Sequence, residues 1–183
     1  MVSPQTLSEA ERRLVAGWAA DCAERVLAVF EAERPEDGRP RAAIARTRGY
    51  ARGERDTAGE IRDRFGGVAA TEGVSPAAAA AARAAGQASA VAHMGAHALG
   101  AAGYAALAAE RCAPDHPDAA SAELDWQWAR MTPAVRAALR SLPPLGENRA
   151  GPLGPGLLAR GRLGEVIRDL QSRLQDVARL GLP

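Results

Sequence analysis

The residues best suited to chemistry sit in "AHMGAHALGAAGYAALAAE", residues 92–110, where His93 and His97 stand four apart among alanine, glycine and leucine. On one continuous helix, steps of three, four and seven return to the same side. Gly86, Ser89, His93, His97, Gly100 and Tyr104 would then share a face. Small residues around two imidazoles and a phenol leave room for a ligand, whereas a filling role would use Leu or Ile. A neutral imidazole that titrates near about pH 6.5 serves as general base, as ligand contact or as metal donor. It also serves as a hydrogen-bonded filler between close-packed helices, and all four readings stand at this stage. The metal reading lacks the glutamate of HExxH, since Met94 follows His93 and Ala96 precedes His97. A zinc site normally needs a third protein ligand. His116, Asp21 and Glu24 are the nearest candidates, nothing in the sequence brings them in, and no metal is expected.

Three other groups extend the candidate site. Asp21, in "WAADC", is expected either to pair with Arg25 one turn on or to face inward and orient a histidine. Arg39 and Arg41, in "DGRPR", either flank a capped helix start or clamp an anion through bidentate guanidinium contacts. Arg83, Gln87 and Ser89 precede the histidines and are candidate ligand contacts. No Walker loop, GxGxxG after a strand or GxSxG elbow is present, so no cofactor and no serine-hydrolase chemistry are expected. Cys22 and Cys112 form no metal-binding spacing and read as free thiols.

Helices must position these groups, because β-branched and aromatic residues never alternate over a useful length. The fold class expected is all-α, a compact multi-helix bundle. Thr6 to Glu9 reads as a capping box, followed by the stripe Leu14, Trp18, Cys22, Val26, Val29 and Phe30. Pro40 opens a second helix with Ile44 and Tyr50, and Thr57 a third through Ile61 and Phe65, ended by Gly66 and Gly67 or by Gly73. Ser75-Pro76 starts a helix that reaches Gly95 and resumes to Cys112, with HMGAH as its joint. Further helices span Ala119 to Met131 and run from Pro133 to before Pro143. Trp126 and Trp128, two apart, cannot both face a helical core, so one is expected to cover a neighbour. Residues 143–156, "PPLGENRAGPLGPG", compose a linker between a helical domain of residues 1–142 and a C-terminal amphipathic helix within 157–183. In that helix Leu163, Ile167, Leu170, Leu174 and Val177 alternate by fours and threes, the seam of a short coiled coil.

Composition narrows the classes. A chain of 183 residues with 47% hydrophobic and 25% charged content suits one globular domain. All 23 basic residues are arginines, but acids are interleaved and the formal net charge is +1. A dedicated nucleic-acid binder would carry a basic stripe, so no nucleic-acid role is expected. The N-terminus lacks a basic and apolar leader, and the alanine-rich stretch is too broken to span a bilayer. A cytoplasmic protein with no membrane role is the expectation.

Taken together, "LVAGWAADCAERVLAVFE", "PEDGRPRAAIARTRGYARGE" and "AAARAAGQASAVAHMGAHALGAAGYAALAA" resemble the bacterial Imm-5-like family, labelled as immunity proteins, over about residues 8–130. The resemblance implies an all-helical module that neutralises or masks a partner protein. Residues 157–183 look like an addition to the family pattern, and a partner or neighbouring subunit is expected to meet that helix and the Trp126/Trp128 region, giving an oligomer. The alternative is a cofactor-free enzyme of small-molecule or specialised metabolism, performing an elimination or a ring-closing displacement. In it His93 or His97 is the base, Asp21 orients the imidazole, Tyr104 assists, and Arg39, Arg41 or Arg83 receives a small anionic substrate or leaving group.

Overall fold

In the computed structural model, which describes residues 3–59 and 71–179, every regular element is helical, as expected. Helix α1 spans Glu9–Glu33 and its cap is Ser8, not Thr6. The Ser8 hydroxyl accepts from the Glu11 N–H at 3.3 Å, and the Glu11 carboxylate accepts from the Ser8 N–H at 2.8 Å. The helix starts late because Leu7 lies in the left-handed region at φ 61° and residues 3–6 close a turn. Leu14, expected in the buried stripe, is 45% exposed, and Val15, Trp18, Cys22, Val26 and Phe30 carry the inward face.

Helix α2, Arg39–Ala51, has Pro40 in its first turn, where a missing N–H costs nothing. The third helix expected through Ile61 and Phe65 falls on residues 60–70, outside the described residues. Ser75 caps α3, Pro76–Ala90, and after a break α4 runs over His97–Cys112. Helices α5, Ala119–Ala129, and α6, Pro133–Arg140, follow, the latter capped by Thr132. A 3₁₀ turn at Leu157–Ala159 leads into α7, Gly161–Arg179. No helix of the described residues is long and apolar enough to cross a membrane.

The core is built on α3 and α4, which lie against each other along alanine-rich faces. Alanine buries little area per residue but lets helix backbones approach closely, so contact replaces bulk. Helices α1 and α2 cover α3, α5 and α7 cover α4, and α6 bridges α1 and α7. One polar network enters this core from α5. Gln127 is fully buried, its Nε2 donating to the Ala102 carbonyl at 3.2 Å and to Glu123 Oε1 at 3.1 Å. The Trp18 indole N–H donates to the Gln127 carbonyl at 3.0 Å, tying α1 to α5.

The segment 143–156 is not a free linker. Gln5, 2% exposed, donates from Nε2 to the Ala150 carbonyl at 2.7 Å and accepts the Leu153 N–H at 2.9 Å. Gln171 does the same for the other end, accepting the Leu145 N–H and donating to the Pro143 carbonyl, both at 3.0 Å. Leu145 and Leu153 are buried. The seam of α7 also packs on its own chain, with Leu163, Ile167, Leu170 and Leu174 all buried; the side chain of Val177 lies outside the described residues. Gly103 makes this contact possible, because a Cβ there would stand 2.7 Å from Ile167 Cγ1.

Two outcomes follow from this packing. Gly103→Val should lower stability by about 1–3 kcal/mol through overpacking against α7, read as a shifted urea midpoint. Gln5→Leu strands the Ala150 carbonyl and the Leu153 N–H at a cost of about 1–3 kcal/mol, and limited proteolysis should then cut within 143–156 faster than in the wild type.

Candidate functional site

The two histidines do not share a helical face. After Ala90 the chain leaves the helix for residues 91–96, and the N–H groups of Gly95 and Ala96 donate to the carbonyls of Thr6 and Gln5 at 3.0 Å each. Leu7 presses on this break so closely that a Cβ on Gly95 would meet its Cδ1 at 2.5 Å, which explains the glycine. HMGAH is thus a joint, as expected, and it turns His93 out to an exposed position while His97 opens α4 largely buried.

His97 Nδ1 lies 2.9 Å from Gln87 Oε1. With the Gln87 oxygen as acceptor, the contact is a hydrogen bond in the tautomer that carries its proton on Nδ1. Gln87 lies close against Gly100, where a Cβ would stand 2.4 Å from its Oε1. Burial, with a smaller contribution from the charge of His93, pushes the His97 pKa down to about 4. The imidazole is therefore neutral at pH 7.

Around Gln87 the structure brings together Arg83, Gly86, Tyr104, Thr71 and Leu157, lining a hollow of about 290 Å³. Arg83 lies over the Tyr104 ring at 6.0 Å. Burial raises the Tyr104 pKa against the opposing pull of Arg83 and Arg111, so the phenol stays protonated. Ser89 is buried elsewhere on α3 and its hydroxyl donates to the Gly86 carbonyl at 2.9 Å.

The remaining candidates lie apart from this hollow. Asp21 neither pairs with Arg25 nor meets a histidine: it bonds Arg48 at 2.8 Å, beside Glu24, Trp126 and Arg130 around a separate hollow of about 260 Å³. Arg39 is held by Asp37 at 2.7 Å and Arg41 by Glu31 at 2.7 and 2.6 Å, each a bidentate pair on the surface. Arg25 instead reaches Glu123 at 3.1 Å. Trp126 and Trp128 are both half-buried rather than one inside and one outside. Arg25 and Arg130 cover the Trp126 ring at 4.5 and 4.7 Å, and Arg136 covers Trp128 at 4.7 Å. Among the described residues no three His, Cys, Asp or Glu converge as metal ligands. Cys22 and Cys112 are both free thiols.

Sequence reasoning missed the arginines that continue the hollow. Arg111, Arg160 and Arg162 line a second one of about 250 Å³ that shares Arg83, Tyr104 and Leu157 with the first. The signal was the "ARGR" run at 159–162, passed over in reading residues 157–183 for the apolar seam of an amphipathic helix.

The buried imidazole gives a pH signature. Unfolded, it titrates near 6.5; folded, near 4. Between those values the unfolded chain holds the extra proton, so stability present above pH 6.5 is lost as pH falls toward 4, by about 3 kcal/mol at most. His97→Gln should remove that part of the slope, measured by urea unfolding at pH 7, 6, 5 and 4.

No curated protein and no solved structure matches the chain. A family model described as "Imm-5 like putative immunity protein" matches residues 5–134. That span takes in α1 through the first two residues of α6, including the α3–α4 hairpin and its joint. Matched over well more than half its length, the chain belongs to the Imm-5-like family.

Proposed function

We propose that the protein is a helical binding module of the immunity type, which masks or neutralises a partner protein in the cytoplasm by surface complementarity. Membership of the Imm-5-like family carries this reading. The state of the candidate base agrees with it. A general base works best with a pKa near the operating pH, whereas His97 sits near 4 with its Nδ1 engaged by Gln87. Asp21, the residue that would orient it, is engaged by Arg48.

The seam of α7 is buried on its own chain, and each indole is covered by guanidinium. The enzyme reading keeps one observation in its favour: Gln87 touches His97 and also lines the hollow beside Arg83 and Tyr104, where a small anion would be received.

Co-expression with the products of neighbouring genes separates the two readings. The binding reading expects one of those products to arrest growth, the wild-type chain to restore it, and the two to co-purify as a stable complex. His93→Gln, a change at an exposed side chain, should protect as well as the wild type. Absence of both rescue and complex sinks the proposal, and loss of protection in His93→Gln with the complex intact turns it toward catalysis.

A further inference from the structure

One face of the molecule gathers four arginines, of which Arg162 alone has an ion pair among the described residues. Arg83 from α3, Arg111 from α4, Arg160 before α7 and Arg162 within it line the two adjoining hollows of about 290 and 250 Å³. No Asp or Glu is among their described lining residues. Through Arg111 and Arg162 they adjoin a third hollow of about 590 Å³, whose one carboxylate among the described lining residues, Glu110, is held by Arg162 at 2.8 Å. Arg39, Arg41, Arg48, Arg52 and Arg173, by contrast, all meet carboxylates of their own chain. Arg83 and Arg160 have no ion pair among the described residues. Leu157, 68% exposed, stands between the two smaller hollows.

We propose that this groove, centred on Arg83, Arg160 and Leu157, is the docking surface for an acidic segment of the partner protein, with Asp or Glu side chains on the guanidiniums and an apolar side chain on Leu157. The inference rests on the reading of the chain as a binding module and names the chemistry of its partner. Charge complementarity selects a carboxylate-bearing occupant, since guanidinium forks match carboxylates two bonds at a time. The shape selects a segment of chain. Three hollows in a row, with cations drawn from separate elements and an exposed leucine between them, exceed what a single small anion covers. Glu110 and Glu165, both on Arg162, interrupt the positive surface where a nucleic-acid backbone would need it continuous.

Fluorescence anisotropy with a fluorescein-labelled peptide of glutamate and leucine, titrated with the full chain at low salt, tests the groove. The wild type should bind it, and Arg83→Gln/Arg160→Gln should weaken binding by ~10-fold or more. Arg41→Gln/Arg52→Gln, which removes the same charge from paired arginines, should change it by less than ~2-fold. Leu157→Ser should weaken it as well. Circular dichroism checks that each variant folds. Failure of the wild type to bind, equal losses in the two double variants, or tighter binding of a labelled single-stranded DNA each overturns the proposal. In the co-expression assay the two ideas fail separately. A wild type that never protects removes the immunity reading and leaves the peptide result standing, whereas equal protection by wild type and groove variant removes the groove alone.

Discussion

Two backbone hydrogen bonds, from Gly95 and Ala96 to the carbonyls of Thr6 and Gln5, govern how the centre of the molecule is arranged. A buried N–H must find an acceptor, and here it finds one on the N-terminal segment instead of in the preceding turn of helix. The helix that residues 76–112 could otherwise form is therefore divided into α3 and α4, which fold back into contact with each other. The same division separates the histidines, sending one to the surface and the other into the start of α4. A pair that looks chemical in the sequence becomes an exposed side chain and a buried hydrogen-bonded one.

Gln5 extends this constraint to the far end of the chain. Its carbonyl holds Ala96 while its amide clamps Ala150 and Leu153, so the N-terminus, the joint and the segment before α7 meet at one residue. Gln171 ties α7 to residues 143–145, and the close approach of Ile167 to Gly103 sets α7 against α4. The family match ends at residue 134, yet Ile167 and Leu170 are wholly buried against the matched part. What lies beyond the match is thus part of the core of this protein. The surface ion pairs Arg162–Glu110 and Arg173–Asp125 link α7 to α4 and α5 but add little energy, since exposed pairs are worth about 0–1 kcal/mol.

Helix class and most boundaries were legible in the sequence because caps act locally: Ser75-Pro76 and Thr132-Pro133 both start helices where their chemistry says they should. The cap of α1 was misplaced by two residues because the left-handed Leu7 is imposed from outside, by its packing on Gly95. Proline and glycine made 143–156 look like a linker, and two distant glutamines that no local pattern reveals made it ordered structure. The inward face of α5 escaped for a related reason. It is formed by Glu123, Leu124 and Gln127 rather than by the tryptophans, with the Gln127 amide donating to the Ala102 carbonyl and to Glu123, a long-range pairing that helical periodicity does not reveal. Of the candidate site, Arg83, Gln87 and Tyr104 converge, whereas Asp21, Arg39 and Arg41 do not, their partners being set by the tertiary packing of α1 and α2.

Charge pairing is what distinguishes one surface of this protein from another. With 23 arginines against 22 acids, near-complete neutralisation is available to the fold, and much of the described surface uses it. A paired guanidinium has its donors occupied and gains little from a new carboxylate, because an existing contact must be given up first. An unpaired one beside apolar surface loses only water when a carboxylate arrives, and the neighbouring ring and leucine exclude solvent from the new contact. Arg83 over Tyr104 and Arg160 beside Leu157, which have no ion pair among the described residues, have that second character. The proposed docking of an acidic segment therefore falls on the junction of α3, α4 and the start of α7, where Arg83 and Arg160 meet no carboxylate among the described residues, rather than on the histidines that first draw the eye.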